Sequence, residues 1–196
     1  MRRTWVVAVR ATTAVVTMTA VLTGCGSGGD GTAHGAPSAR SATPGPVRRM
    51  TVSSPAFADG GTLARRYTCD GADLSPALAF SGVPAGAAGL ALLLQDPDAP
   101  NGPFTHWLVW DIDPRTTHLS AGQRPPGAAE GRNGFGRTGY GGPCPPHGDR
   151  PHHYVLTGYA TDRRPLLSPG ATPADLARAL AGHTLAVGTL TGRYGR

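Results

Sequence analysis

The sequence contains no lysine and a single glutamate, Glu130, so arginine and aspartate carry almost all of its charge. This bias is typical of GC-rich codon usage and indicates no particular function. The formal net charge is +6. Without Arg2, Arg3 and Arg10 of a predicted signal segment, 15 arginines face 12 acids, which leaves +3. The remaining arginines are scattered, without the basic patch of nucleic-acid-binding proteins. We therefore expect no nucleic-acid partner.

Long helical patterns, internal repeats and zinc signatures are also missing. The 29 glycines and 19 prolines among 196 residues leave little room for long helices and favour a domain rich in strands and turns. Neither the HExxH nor the H-x-E signature of zinc enzymes occurs. The length predicts one folded domain with additional segments at its ends.

The first 24 residues resemble a lipoprotein signal peptide. A short basic start is followed by an apolar stretch over residues 11–22, and residues 22–25, Leu-Thr-Gly-Cys, resemble the bacterial lipobox. Cleavage would leave Cys25 as the lipidated first residue. The alternatives are an ordinary secretory signal with a chance cysteine and an uncleaved anchor, although the apolar stretch is short and rich in threonine for a membrane span.

Residues 25–49 are predicted to be a flexible tether between the membrane and a domain over residues 50–196. The segment after Cys25 consists mainly of Gly, Ser, Ala, Thr and Pro and cannot bury enough apolar surface to offset its ordering entropy. The expected location is extracytoplasmic, on the cell membrane through the N-terminal lipid.

The domain pattern predicts several strands and one helix. The longest apolar run, residues 89–95, predicts a strand buried on both faces. Thr172 before Pro173 predicts a helix start, and Gly182 its end. The segment 113–139, rich in Gly, Pro and Arg, is predicted to be mostly loop. The other predicted strands are residues 50–53, 74–80, 104–112, 152–161 and 183–191.

Two of these strands carry histidines next to turns rich in Gly and Pro. Period-two alternation places His106 on one face with Phe104, Leu108 and Trp110, and it points His152 and Tyr154 in the same direction. A histidine on an apolar face is by default a core residue with its hydrogen bonds satisfied. Two such strands with turn residues at their ends instead favour a polar pocket.

Asp96 ends the buried strand, and it completes the predicted pocket with His106, His152 and Tyr154. Asp96 and Asp98 flank Pro97, and either carboxylate could simply accept N–H groups of the turn. Backbone N–H groups of the turn at residues 141–142 could add donors. Imidazoles, a phenol and a carboxylate together suit a small zwitterion or a phosphate ester.

Two catalytic uses of the same residues compete with this hypothesis. Asp96, His106 and His152 could supply an open three-ligand zinc site, although their spacing is not diagnostic. Cys144 and His152 could form a nucleophile pair, although Cys144 lies between prolines and no oxyanion hole is apparent.

Cys69 and Cys144 remain once Cys25 is lipidated. An even pair outside the cytoplasm predicts a disulfide, and the alternative is two buried free thiols.

Several motifs resemble the phosphatidylethanolamine-binding protein family, and more narrowly its bacterial YbhB/YbcL branch, described as Raf kinase inhibitor-like. Residues 96–100 (Asp-Pro-Asp-Ala-Pro) precede residues 104–109 (Phe-Thr-His-Trp-Leu-Val), and residues 140–146 (Tyr-Gly-Gly-Pro-Cys-Pro-Pro) precede residues 152–154 (His-His-Tyr). The resemblance covers about residues 50–196. The chain departs from the family pattern at Cys144, His153 and Phe80.

The resemblance implies a mainly β fold, with a large antiparallel sheet packed on a smaller sheet and a few short helices. It also implies a pocket for phosphate or phosphoethanolamine-type head groups, formed by Asp96, His106, His152 and Tyr154 with Pro145 and Pro146 at the rim. Members act mainly as binders and modulators, so we expect no catalysis and no cofactor. The alternative is a protein inhibitor of a serine protease or kinase that acts through the loop 113–139, independently of the pocket.

Overall fold

The structure is a computed structural model, and it describes residues 45–196. The predicted signal segment, Cys25 and most of the predicted tether lie outside these residues. Among the described residues, no helix is both long and apolar enough to cross a bilayer. The predicted tether ends two residues too late, because Arg48 and Arg49 already form a strand of the large sheet.

A sheet of seven strands forms the centre of the fold. The strands are β1 (Arg48–Arg49), β3 (Gly61–Thr62), β5 (Gly89–Asp96), β6 (Phe104–Ile112), β8 (Ala129–Glu130), β9 (His152–Thr161) and β10 (Thr184–Tyr194). Their order is β1-β10-β9-β5-β6-β8, with β3 also paired to β10. The long strands are antiparallel, and the two-residue strands β1 and β3 pair with β10 in parallel.

A smaller antiparallel sheet packs on one face of the large sheet. It contains β2 (Thr51–Ser53), β4 (Leu78–Ser81) and β7 (His118–Leu119), in the order β2-β4-β7. Val52 and Phe80 from the small sheet join Leu92 and Leu156 from the large sheet in the main core. The mainly β fold with a large and a small sheet is therefore confirmed.

A short helix covers the other face of the large sheet. α1 (Pro173–Leu180) buries Leu176 and Leu180 against Leu108 and Trp110 of β6. Its start matches the prediction, because the Thr172 hydroxyl accepts the N–H of residue 175 in a capping box. A 3₁₀ turn over Arg65–Tyr67 is the other short helical element in the described part of the chain.

The strand predicted over residues 50–53 is β2 of the small sheet, without Met50, and the residues just before Met50 form β1 of the large sheet. Gly158 and Gly188 face each other on β9 and β10. A Cβ at Gly188 would lie 2.4 Å from the carbonyl oxygen of Met50, and one at Gly158 would lie 2.7 Å from Val52. The two glycines thus leave the space through which the chain passes from one sheet to the other.

The segment 113–139 is more ordered than predicted. It contains β7 and β8, and β8 extends the large sheet by pairing with Val109 and Trp110 of β6. The side chain of Glu130, on β8, accepts the indole N–H of Trp107 at 2.8 Å. The strand predicted over residues 74–80 is shorter and begins at Leu78, after the proline at position 76.

Candidate functional site

Three chain segments meet at one end of the large sheet. Asp96 is the last residue of β5, His152 is the first residue of β9, and His106 is the third residue of β6. Because β5 pairs in antiparallel fashion with both β6 and β9, its last residue lies beside the first residues of its two neighbours. The side chains of all three residues are buried. The structure thus brings together three of the predicted site residues.

A β-bulge directs His106 into this site. Leu94 pairs with Trp107, and the next residue of β5, Gln95, pairs with Thr105, so His106 is the extra residue on β6. The His106 ring lies 5.2 Å from the ring of Tyr154, whose face of the sheet also holds Trp107.

The predicted alternation along β6 is therefore wrong at this point. Leu108 and Trp110 pack on the opposite face with α1, in a different cluster from Trp107 and Tyr154. Without the bulge, His106 would share that opposite face.

Asp96 and His152 form a buried pair. The Nδ1 atom of His152 lies 2.8 Å from Oδ2 of Asp96, and the two side chains are 4% and 5% exposed. The other carboxylate oxygen of Asp96 accepts the N–H of Asp98 at 2.8 Å. Asp96 thus serves as a turn acceptor and as the partner that orients the imidazole.

Asp98 lies outside the pocket and forms a second, more exposed pair. Its carboxylate accepts both the backbone N–H and the Nδ1–H of His153, at 2.8 and 2.7 Å. These hydrogen bonds, first the one from the backbone, lower the pKa of Asp98. The guanidinium of Arg150 lies 3.1 Å from the same carboxylate.

His106 is held by a backbone carbonyl. Its Nδ1 lies 2.7 Å from the carbonyl oxygen of Gly141. A carbonyl can only accept, so Nδ1 carries the proton and Nε2 remains for a ligand. Burial lowers the pKa of His106, although the bond to Gly141 opposes this shift. The imidazole is therefore neutral at neutral pH, with the lone pair of Nε2 available.

The backbone N–H groups at residues 141–142 are not the extra donors that we expected. The N–H of Gly141 donates to the carbonyl oxygen of His106 at 2.9 Å. The N–H of Gly142 donates to the Asp73 carboxylate at 2.6 Å. Both donors are used within the protein, and the carbonyl of Gly141 contributes instead by setting the tautomer of His106.

Tyr154 is buried next to the pocket and packs against His106. Its side chain is 1% exposed, and its hydroxyl has no hydrogen-bond partner among the described residues. Burial, and next the negative charge of Asp96, raise the pKa of this hydroxyl. Tyr154 packs its ring against His106 but is not among the side chains that line the cavity.

The three ionisable residues Asp96, His106 and His152 line a cavity of about 180 Å³. The predicted rim residues Pro145 and Pro146 line it too, and so does Cys144. Three further groups of lining residues were not among the predicted site residues: Phe104 from β6, residues 99–100, and Phe135 from the segment 113–139. An isolated aromatic residue between Gly134 and Gly136 was the one signal that could have pointed to Phe135.

The rim of the cavity is held from two sides. Cys69 and Cys144 form the predicted disulfide, with their Cα atoms 5.4 Å apart. The guanidinium of Arg196 donates to the carbonyl oxygen of Pro145 at 2.6 Å and to Asp70 at 3.1 Å. Asp70 also accepts the hydroxyl of Tyr194, and that hydrogen bond is the main reason why its pKa is lowered. These contacts hold the pocket in shape.

Larger surface clefts occur elsewhere. One, of about 400 Å³, has no charged lining residue among residues 45–196, and two others are lined by charged side chains, several of which are paired within the protein. The first of these two, of about 500 Å³, contains the exposed Arg115–Asp113 ion pair. The second, of about 750 Å³, contains Arg150 and Arg196, which pair with Asp98 and Asp70. The smaller cavity is the candidate site because buried ionisable groups line it.

The geometry does not favour the two catalytic alternatives. Among residues 45–196, no three His, Cys, Asp or Glu side chains are grouped as metal ligands. Asp96 and His152 direct polar atoms at each other, so they do not converge with His106 on a common ion. Cys144 has no thiol to act as a nucleophile, because it is disulfide-bonded.

Comparisons with known proteins agree with this architecture. Residues 53–195 match the family model described as phosphatidylethanolamine-binding protein. The fold resembles the crystal structure of E. coli YbcL, described as a new member of the mammalian PEBP family. That match has a TM-score of 0.70 and 33% identity, and it covers 76% of this chain and 99% of YbcL.

Two curated relatives extend the comparison. A UPF0098 protein of Methanothermobacter thermautotrophicus is 43% identical over 152 residues, which cover 75% of this chain and 99% of the relative. The "Putative lipoprotein LppC" of Mycobacterium tuberculosis is 40% identical over 191 residues, 92% of this chain and 94% of the relative.

Proposed function

The chain belongs to the phosphatidylethanolamine-binding protein family, in the branch of E. coli YbcL, and on that premise we propose that it is a binding protein for small phosphorylated anions. The ligand is a phosphate or a phosphoethanolamine-type head group, bound between His106 and His152. The protein performs no chemistry on it and needs no cofactor.

The observation that carries this proposal is a pair of buried imidazoles, each oriented by a fixed partner. Asp96 holds the Nδ1 of His152, and the carbonyl of Gly141 holds the Nδ1 of His106. In both rings Nε2 is left to contact a ligand. Because these groups are already positioned, binding costs little reorganisation.

The size of the cavity favours a head group over a whole lipid. Its volume of about 180 Å³ is below the roughly 300–1,000 Å³ of pockets for drug-sized ligands. Any acyl chains of a phospholipid would lie outside the pocket. The ligand is then either a soluble phosphate ester or the exposed head of a lipid.

The proposal also places the protein outside the cytoplasm, anchored through a lipid on Cys25. The likeness to the relative named as a lipoprotein, which extends over 92% of this chain, supports this part. Mass spectrometry of the membrane fraction tests it directly. A diacylglyceryl group on Cys25 is expected, and a mature chain that begins elsewhere without lipid would overturn the anchor.

Isothermal titration with phosphoethanolamine and with inorganic phosphate tests the pocket. We expect one saturable site whose affinity rises as the pH falls. A bound anion raises the pKa of His106, so binding takes up a proton. His106→Gln keeps a polar side chain that cannot be protonated, and it should weaken binding about tenfold or more and reduce the pH dependence to that of the ligand and His152. His118→Gln, at an exposed position on the small sheet, is the control and should bind like the wild type.

Absence of saturable binding to the wild type, or unchanged binding by His106→Gln, would overturn the pocket assignment. Elemental analysis of the same sample addresses the metal-dependent alternative. Stoichiometric zinc that disappears in His106→Gln would replace the binding proposal with the hydrolase proposal.

Inhibition of a protease or kinase through the segment 113–139 stays a second hypothesis, but the segment is not independent of the pocket. Phe135 lines the cavity, and β8 pairs with the edge of the large sheet. Deleting the segment would therefore damage the pocket and the fold together. Substitution of exposed residues such as Arg115 is the cleaner test of inhibition.

A further inference from the structure

The cavity has an unusual charge balance for an anion site. Asp96, His106 and His152 are its only ionisable lining residues in the described part of the chain, and no arginine lines it. Burial keeps His106 neutral by lowering its pKa. The arginines beside the site are paired with carboxylates: Arg150 with Asp98, Arg196 with Asp70, and Arg137, which lies over the ring of Phe135, with Asp73. A plain phosphate dianion would meet a buried carboxylate and no fixed positive charge.

A second carboxylate, that of Asp149, lies next to the site, where it lines the neighbouring cleft of about 750 Å³. Asp149 follows Gly148, a glycine with φ of 84°, in the turn between the rim prolines and β9. Its Oδ2 atom lies 3.7 Å from Nε2 of His152. The Asp149 side chain is 46% exposed, whereas that of His152 is 4% exposed. A ligand that reaches the Nε2 of His152 therefore comes close to the carboxylate of Asp149.

Other groups that could accept an ammonium are already engaged. Both carboxylate oxygens of Asp96 accept hydrogen bonds, one from His152 and one from the N–H of Asp98. The ring of Phe135 is covered by the guanidinium of Arg137, whose Cζ lies 5.6 Å from the ring centre. In contrast, the carboxylate of Asp149 accepts no hydrogen bond within residues 45–196 and has only the longer contact with His152.

We infer that Asp149 is a specificity-determining residue that selects zwitterionic phosphate esters over simple phosphate anions. The ammonium group of the ligand pairs with the carboxylate of Asp149 while its phosphate contacts His106 and His152. The same carboxylate repels an anion that brings no positive charge. This inference rests on the proposed function and adds to it the residue that discriminates between the two kinds of ligand.

A matched pair of ligands tests the inference on the full chain. The probes are 2-aminoethyl phosphate and 2-hydroxyethyl phosphate, which have nearly the same shape and differ in their ammonium and hydroxyl groups. One partly exposed charge pair at about 4 Å corresponds to roughly a five- to tenfold change in affinity. Titration of the wild type should show a preference of that size for the ammonium ligand at low salt.

Asp149→Asn removes the charge and keeps the size of the side chain. It should weaken binding of 2-aminoethyl phosphate, strengthen binding of 2-hydroxyethyl phosphate and bring the affinity ratio close to one. Asp113→Asn is the control. It removes an exposed carboxylate that follows the opposite end of β6, and it should keep the preference of the wild type. Thermal unfolding checks that both variants are folded.

The outcomes separate this inference from the proposed function. If the wild type binds neither ester, the proposed pocket function fails. If it binds both esters equally, or if Asp149→Asn keeps the preference, the role of Asp149 is overturned and the pocket stands. If Asp149→Asn strengthens both ligands equally, Asp149 is a general competitor for His152 and its pairing with the ammonium is overturned.

Discussion

The chain contains two neighbouring Asp–His pairs that share their geometry and differ in burial. The nitrogen–oxygen distance is 2.8 Å in the Asp96–His152 pair and 2.7 Å in the Asp98–His153 pair. The first pair has exposures of 5% and 4%, and the second has exposures of 17% and 36%. Removing the histidine from each pair therefore measures what burial adds to the same contact.

His152→Ala should destabilise the protein strongly. Breaking a buried pair typically costs about 3–5 kcal/mol, because the remaining charge stays buried without its partner. Asp96 keeps the N–H of Asp98, so we expect the lower end, about 3 kcal/mol. At roughly 2–4 °C per kcal/mol for a domain of this size, the melting temperature should fall by about 6–12 °C.

His153→Ala should cost much less. Exposed ion pairs contribute about 0–1 kcal/mol, and Asp98 keeps Arg150 and the backbone N–H of residue 153. A double-mutant cycle gives a coupling energy for each pair. It compares urea unfolding of the histidine variant, of the aspartate variant (Asp96→Asn or Asp98→Asn) and of the double variant. We expect at least about 2 kcal/mol for the buried pair and less than about 1 kcal/mol for the exposed one. Equal coupling energies, or a buried pair that is additive within about 0.5 kcal/mol, would refute the reasoning.

Three further predictions concern the disulfide, a glycine and the pH. Reducing the disulfide, which spans 75 residues, should lower the free energy of unfolding by about 4.5 kcal/mol on the chain-entropy model and loosen the rim. A decrease of less than about 1 kcal/mol, measured by thermal unfolding, would contradict this. Gly142→Ala puts a Cβ 2.6 Å from the carbonyl oxygen of Tyr67, so it should destabilise the fold by about 2 kcal/mol or more and weaken ligand binding. Gly86→Ala, with open space around it, is the control and should change neither thermal unfolding nor ligand titration. Because burial lowers the pKa of His106, the unfolded chain takes up its proton first as the pH falls below about 6.5. The free energy of unfolding should then decrease toward lower pH. His106→Gln should make this decrease smaller, as measured by urea unfolding at a series of pH values. An unchanged pH dependence of the unfolding free energy would count against a buried neutral imidazole.

Strands with a strong local pattern were predictable from the sequence. The apolar run at residues 89–95 forms β5, and the alternation at residues 152–161 forms β9 with His152 and Tyr154 buried on the core side. The helix start at Thr172 followed from local capping chemistry. Such features depend on neighbours in the chain, so the sequence alone can specify them.

The orientation of His106 was not predictable in this way. Strict alternation placed it with Leu108 and Trp110, but the bulge opposite Leu94 and Gln95 turns it toward Tyr154. A bulge depends on how two strands pair, and β6 by itself does not reveal its register with β5. The passage of the chain between the two sheets at Met50 likewise depends on Gly158 and Gly188, more than a hundred residues away in sequence.

The sequence by itself determined which chemical groups meet in the site, because the motifs at residues 96–100 and 140–154 carry Asp96, the rim prolines and His152 on predictable strand ends and turns. The tertiary structure decided how those groups are used. It pairs the Nδ1 of His106 with the carbonyl of Gly141, and it engages the N–H groups of residues 141 and 142 in hydrogen bonds within the protein. It also brings Phe135 to the cavity and Asp149 within 3.7 Å of His152. The reason is physical: a hydrogen bond or an ion pair depends on distances of a few ångströms between segments far apart in the chain, and only the packed fold sets those distances.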